Sequence, residues 1–259
     1  MPFAGYKIKG DRNRFKPESS EPYVLSRSKI DRFLECPRCF WMEARHGIGR
    51  PDIPPYTLNN VVDELFKKEF DIRRAKGEAH PLMKAYGIDA VPFKHEQLDE
   101  WRDALRRGIK YADPELKMCL RGGIDDVWQA PGGELYIVDY KATGGKKEIT
   151  LDDEWKIAYK RQIEVYQWLF RKNGFEVSPT AYFVYANAQN DRAAFDGKLE
   201  FDVTVLPYVG DDSWVYPALK GARACLESEA IPTSGEKCEY CPYREAAGKT
   251  LLAISRKNK

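Results

Sequence analysis

Two cysteine pairs, Cys36-x-x-Cys39 and Cys238-x-x-Cys241, lie near opposite ends of this 259-residue chain. The chain is polar within its first ten residues, so no secretory signal is read there and a disulfide framework is not expected. Paired cysteines in that setting read as metal ligands. Two thiolates from each end give four soft donors, enough for a tetrahedral zinc or an iron–sulfur cluster. Such a clasp closes a loop of roughly 200 residues and removes on the order of 4–5 kcal/mol of denatured-state entropy in a chain-entropy picture. It forces the two ends of the fold together, which points to a structural role rather than electron transfer. Cys119 and Cys225 fall outside the pattern and read as small buried hydrophobes.

Between the pairs, two apolar runs end in acid: Gly122-Gly123-Ile124-Asp125-Asp126-Val127 and Tyr136-Ile137-Val138-Asp139-Tyr140-Lys141. Ala130-Pro131-Gly132-Gly133 separates them with a turn written in Pro and Gly. If residues 131–133 form the loop, Asp125 lies opposite Asp139 across a hairpin. A strand then puts Asp139 and Lys141 on one face. Like charges directly opposite each other destabilise a sheet. A divalent cation between them removes that cost, and the adjacent lysine suits an anionic group. This is the chemistry of phosphodiester hydrolysis.

Residues 1–25 read as a polar arm, made basic by Lys7, Lys9, Arg12, Arg14 and Lys16. The net charge of the chain is only +2, so a nucleic-acid groove has to come from local clustering. Ser28-Lys29-Ile30-Asp31 is a capping-box pattern that opens a helix, broken at Pro37 and ending near Gly47. Pro51, Pro54 and Pro55 mark a loop. A helix is expected over 59–74, where positions 61, 62, 65, 66 and 70 keep a helical period, and another over 95–107. The hairpin strands are expected at 120–129 and 135–143. Asp152 and Asp153 open a helix that runs to Lys172 and stops at Asn173-Gly174. Strands over 181–186 and 199–205 and a last helix over 213–229 precede the cysteine-bearing tail.

This order predicts an α/β sandwich on a mixed sheet rather than a doubly wound pattern. The expected organisation is an arm at 1–25, one domain over 26–250 and a basic tail at 251–259. Within the domain, a helical part spans 26–110, a core 118–210, and a C-terminal helix with the clasp 211–250. With no apolar run of about 18 residues, no membrane span is expected. A cytoplasmic protein is the expectation.

Gly123-Ile124-Asp125, Val138-Asp139-Tyr140-Lys141 and Gln162-x-x-x-Tyr166, in that order, resemble the three motifs of the PD-(D/E)XK nucleases, specifically the RecB-like branch. The resemblance reaches from about residue 26 to 245. It implies a restriction-endonuclease-like core, a mixed central sheet flanked by helices, with a helical and cysteine-clasped lobe. It implies Asp125 and Asp139 as ligands of Mg2+ or Mn2+, hard cations that take oxygen donors, with the Tyr140 carbonyl completing the set. Lys141 would orient the attacking water or stabilise developing charge. Gln162 and Tyr166, four apart on one helix face, would position the metal site and the DNA backbone. That face also holds Trp155, Ala158, Tyr159 and Leu169 and is expected to be the buried stripe. An unsatisfied amide there costs about 1–3 kcal/mol, so Gln162 needs a polar partner.

The family usually carries a histidine ligand on an early helix, in a Gly-x-x-x-His setting. Here the stretch reads Asn59-Asn60-Val61-Val62-Asp63, so Asp63 takes the histidine's place as the implied third ligand. His46, His80 and His95 match no motif and are expected at the surface. The stretch Cys238-Glu239-Tyr240-Cys241-Pro242-Tyr243-Arg244 is similar to the C-terminal part of the iron–sulfur clasp in the AddB nuclease domain and the CRISPR-associated RecB-like exonucleases. Those relatives use one N-terminal and three C-terminal cysteines, whereas this chain has two and two. The resemblance implies a 4Fe-4S cluster on Cys36, Cys39, Cys238 and Cys241, with Zn2+ as the alternative the donors allow. The expected function is a Mg2+- or Mn2+-dependent deoxyribonuclease acting on single-stranded DNA or DNA ends, by resemblance an exonuclease. A helicase, a recombination protein or a CRISPR adaptation protein is the implied partner. The alternative, prompted by Asp63, is a nuclease fold that holds DNA or a partner without cutting.

Overall fold

The computed structural model describes residues 10, 14–51, 56–146 and 148–257. Lys7, Lys9 and Arg12 of the basic arm, and Pro54 and Pro55, lie outside the described residues. In chain order the elements begin with β1 (Tyr23–Ser26), α1 (Arg27–Glu35), α2 (Pro37–His46), α3 (Thr57–Lys76), α4 (Pro81–Ala85), β2 (Val91–Pro92) and α5 (Leu98–Arg102). Then follow β3 (Ile109–Asp113), β4 (Met118–Gly122), β5 (Asp126–Gln129), β6 (Leu135–Gly144) and, after a 3-10 turn at Glu154–Lys156, α6 (Ile157–Lys172). The chain closes with β7 (Thr180–Ala188), β8 (Phe201–Val209), α7 (Val215–Glu227) and α8 (Tyr240–Lys257). These form two compact units, one from 54–111 and 120–215, the other from 1–53, 112–119 and 216–259. Among the described residues, no helix is long and apolar enough to cross a membrane.

The first unit is built on a five-stranded sheet in the order β2-β5-β6-β7-β8. Every neighbouring pair is antiparallel except β6 and β7, which run parallel. A parallel pair needs a long crossover, and α6 supplies it. The β5–β6 register pairs Asp126 with Val138, Val127 with Ile137 and Gln129 with Leu135. The turn closes with the Ala130 amide on the Glu134 carbonyl and the Gly133 amide on the Ala130 carbonyl, each at 2.9 Å. This is the register expected from the loop, and it sets Asp125 level with Asp139.

Side chains alternate across β6. Val138 and Tyr140 pack with Phe66 and Phe70 of α3, and with Trp128 and Val184, in one apolar core. Asp139 and Lys141 therefore belong to the opposite face of the sheet. On α3 the buried residues are Phe66, Phe70 and Arg74, a repeat of four that faces the sheet, while Val61 and Leu65 stay exposed. Gly77, with φ +67, ends that helix in the left-handed conformation that favours glycine. On α6, Gln167 Nε2 donates to the carbonyls of Ser178 and Pro179 at 2.9 Å. Glu164 accepts from Trp214 Nε1 at 2.7 Å and from the Tyr208 hydroxyl, which fixes the helix against the sheet.

In the second unit, Cys36 ends α1 in extended conformation and caps α2, its Sγ accepting from the Cys39 amide at 3.4 Å. Pro37 takes the first helical position, where a missing N–H costs nothing. The break expected at Pro37 and the stop at Gly47 both occur.

Several expectations are corrected. The cap of α1 is Ser26, which accepts from the Lys29 amide at 3.3 Å, and Ser28 merely bonds Ser26 Oγ. The first acidic strand is two strands, β4 and β5, because the backbone turns at Gly123–Asp125; β4 joins β1 and β3 in a separate sheet ordered β1-β4-β3. The helix expected over 95–107 shrinks to α5, since Asp103 turns its carboxylate back onto the Arg106 amide at 3.0 Å. The residues read as a basic tail continue α8 to Lys257. His80 is buried rather than exposed, stacked on Phe70 with ring centroids 4.2 Å apart and capping α4 through Nδ1.

Candidate active site and cysteine centre

Asp125 occupies the break between β4 and β5, where two glycines let other parts of the chain approach. A Cβ on Gly122 would stand 2.4 Å from Tyr166 Cε1, and one on Gly123 would stand 2.5 Å from Ala104 Cα. The Ile124 amide donates to the Trp101 carbonyl at 3.1 Å, and Arg102 Nε donates to the Asp125 carbonyl at 3.0 Å. With its backbone held in this way, Asp125 accepts the Tyr140 amide on Oδ2 at 2.9 Å. The acid at 125 is thus tied directly to the strand that carries Asp139.

Asp126 turns the other way, into a buried ion network that the sequence reading missed. Its carboxylate pairs with Arg74, meets Arg102 Nη2 at 3.1 Å, and accepts the Tyr140 hydroxyl at 2.7 Å and the Val127 amide at 2.8 Å. Arg102 also grips both oxygens of Asp71 at 2.9 and 3.0 Å. Burial works against the Asp71 carboxylate, but Arg102 and Arg74 outweigh it and hold its pKa below the usual value. The available signal was Arg74 itself. A charge on the same stripe as Phe66 and Phe70 needs a buried partner.

Asp139 is fully buried. Burial, reinforced by Asp125, pushes its carboxyl up to about 7 against the pull of Lys141. Lys141 Nζ ion-pairs with Asp139 and sits 4.7 Å from the centre of the Tyr159 ring on α6. Burial also works against the Lys141 ammonium, yet Asp139, Asp125 and Tyr166 outweigh it and hold its pKa above the usual lysine value. Lys141 is therefore charged. Gln162 Nε2 donates to the Tyr166 hydroxyl at 3.3 Å, which supplies the polar partner its setting demanded. Tyr166 is buried and Gln162 half-buried, but Trp155 is 61 % exposed, so the expected buried stripe does not extend back to it.

Asp63 joins the group from α3. Lys67, one turn on, places Nζ 2.6 Å from Asp63 Oδ2 and 3.5 Å from Asp125 Oδ1. Burial, then Asp125, raises the Asp63 carboxyl, while Lys67 and Lys141 oppose the rise. Sequence reasoning missed Lys67, although its spacing of four from Asp63 was visible.

The donors suit a hard divalent cation. Asp63 Oδ1 and Asp139 Oδ1 are buried without a hydrogen bond, while Asp139 Oδ2 meets Lys141 Nζ, and an unmet buried acceptor is costly. Three carboxylates offer the oxygen chemistry that Mg2+ or Mn2+ takes. Lys67 stands between two of them. They are not drawn as tightly together as the cysteines described next, which form the one group of three or more His, Cys, Asp or Glu among the described residues with all ligand atoms within 4.8 Å.

In the second unit, the sulfurs of Cys36 and Cys241, Cys39 and Cys238, and Cys39 and Cys241 are each 3.6 Å apart. All four cysteines are buried and unbridged. Amides and cations turn toward them: Gly235 N–H to Cys36 Sγ at 3.3 Å, Arg244 Nη2 to Cys39 Sγ at 3.0 Å, and Arg50 Nη2 to Cys238 Sγ at 4.0 Å. Gly235 is required there, because a Cβ would strike the Glu35 carbonyl oxygen at 1.9 Å. Four convergent sulfurs with donors aimed at them fit a soft metal centre, zinc or iron–sulfur alike. Cys119 is buried as expected, and Cys225 is half-buried.

A mixed α/β sheet flanked by helices, with an acidic hairpin on its central strands, is a restriction-endonuclease-like nuclease fold. The family model of the PD-(D/E)XK nuclease superfamily matches residues 24–246, and the chain belongs to that superfamily. No curated protein matches the chain.

Proposed function

We propose that the chain is a Mg2+- or Mn2+-dependent deoxyribonuclease whose site is Asp63, Asp125, Asp139 and Lys141, with Gln162 and Tyr166 alongside. The observation that carries this reading is the buried Asp139–Lys141 pair level with Asp125, with Asp139 Oδ1 and Asp63 Oδ1 buried and met by no hydrogen bond. Asp125, Asp139 and Asp63, with the Tyr140 carbonyl, would hold the cation. When bound, it supplies a nucleophilic water at neutral pH and neutralises charge on the scissile phosphate. Lys141 is held as an ammonium at the acidic strand, ready to orient that water or meet the negative charge that develops on phosphate oxygen. The Tyr140 amide fixes the Asp125 carboxylate, and the Gln162–Tyr166 pair closes the α6 side. The substrate is single-stranded DNA or DNA ends, processed exonucleolytically beside a helicase, recombination or CRISPR adaptation protein. The cysteine centre holds a 4Fe-4S cluster that staples its unit. The resemblance of the three motifs and of the cysteine stretch to the RecB-like branch supports these finer assignments.

End-labelled DNA incubated with Mg2+, Mn2+ or EDTA tests the reading. Metal-dependent shortening from the end, absent in EDTA, is the expected result. DNA left intact with either metal overturns it.

One observation favours a second reading, in which the fold holds DNA without cutting it. The Lys67 ammonium already lies between Asp63 and Asp125, as an internal cation competing for the same oxygens. Removing one positive charge at that range is worth an order of magnitude or more in cation affinity, so Lys67→Met should tighten Mn2+ binding about tenfold. Calorimetric titration reads this directly. Equal Mn2+ affinity in the two proteins means that Lys67 does not compete.

A further inference from the structure

Trp155 is used neither by the fold nor by the chemistry above. It lies in the 3-10 turn before α6 and is largely exposed. Its ring meets Tyr159 edge to face, with centroids 5.5 Å apart and planes at 81°. Tyr159 in turn lies under Lys141 Nζ, 4.7 Å from the ring centre, and Lys141 pairs with Asp139. Lys156 Nζ stands 5.0 Å from the Trp155 ring. Lys156 is itself buried and ion-paired with Asp153 at 2.8 Å, so what leads from solvent to the reactive pair is the two aromatic rings.

The chemistry of the ligand follows from that arrangement. Flat apolar rings that lead to the Lys141 ammonium suit a chain that alternates flat rings with anions. Every base has a π-face, so stacking on an indole tolerates any sequence, but the bases must be unpaired and accessible. In a duplex those faces are already stacked on their neighbours. The edge contact with Tyr159 holds the indole ready, so little rotamer freedom is lost on binding.

We propose that Trp155 is a stacking platform for an unpaired base of single-stranded DNA, next to the phosphate held at Lys141. This rests on the nuclease reading and adds strand preference to it. The experiment measures binding of labelled single-stranded and blunt duplex oligodeoxynucleotides to the full chain in EDTA, so that nothing is cut. Trp155→Ala should lose about five- to a hundredfold in affinity for the single strand, with Trp155→Phe retaining most of it. Neither the duplex nor a single strand made abasic should distinguish the Ala variant from wild type. Equal single-strand affinity in Trp155→Ala and wild type, or an equal loss on the abasic strand, overturns the platform and leaves the nuclease reading standing. A wild-type chain that binds no DNA of either form in EDTA overturns the platform, and the cleavage assay in Mg2+ or Mn2+ decides the nuclease reading separately.

Discussion

Lys141→Met is expected to slow DNA cleavage by about a hundred- to a thousandfold, the usual cost of removing one group aimed at developing charge. The expectation stands on the placement of Lys141, whose ammonium is held charged against burial by Asp139 and Asp125. Removing it leaves Asp139 buried without its counter-charge, and breaking a buried pair from one side typically costs about 3–5 kcal/mol. Activity and folding would then fall together. The double variant Lys141→Met/Asp139→Asn separates them, because it removes both charges. It should melt closer to wild type than the single variant does, yet cut no faster. If the two groups act as a unit, the double variant is about as inactive as either single one. Single-turnover rates in Mn2+ beside thermal melts make the comparison, and Lys141→Met cutting at the wild-type rate would remove Lys141 from the site.

The hairpin was legible because two independent signals agreed: a Pro-Gly turn of definite length and a period-two apolar pattern on each side. Together they gave the Asp125–Asp139 level that the register bears out. The break after Gly122 was harder to see. It comes from tertiary crowding, since Tyr166 and Ala104, from outside the hairpin, press on Gly122 and Gly123 and leave no local trace in its sequence. The 95–107 segment misled for a related reason. It contains good helix formers, but only Leu98 and Trp101 find a core, and Asp103 offers the backbone a competing bond. Helix α8 was missed because Leu251, Leu252 and Ile254 are exposed, so no buried face imposed a period on the sequence.

The same contrast runs through the site. Asp139, Lys141, Gln162 and Tyr166 are spaced by the geometry of one strand and one helix, and sequence spacing exposes such relations. Asp126 and its arginines are brought together from α3, α5 and β5, with Arg74 and Asp126 52 positions apart in the chain. Their function is to hold the strand that presents Asp125. Only the out-of-place Arg74 hinted at them.

Loss of the cysteine centre should be the largest stability effect in the molecule. Its unit is assembled from three stretches of chain, 1–53, 112–119 and 216–259, and the centre joins the first stretch to the last. Cys39 and Cys238 are 199 positions apart, so the link closes a loop that contains the whole of the other unit. In a chain-entropy picture a crosslink of that length is worth about 5 kcal/mol, and the same bonds disappear whether the ion is zinc or iron. Four buried sulfurs without a metal would also leave Arg244 turned toward the Cys39 thiol, which burial holds uncharged. Cys36→Ser/Cys241→Ser, removing one ligand from each pair, is therefore expected to lower the melting temperature by many degrees and abolish stoichiometric metal. Anaerobic purification of the wild type identifies the group: a brown protein with iron and sulfide carries a cluster, and a colourless one with zinc does not. A variant that melts with the wild type would mean that packing alone holds the two chain ends together.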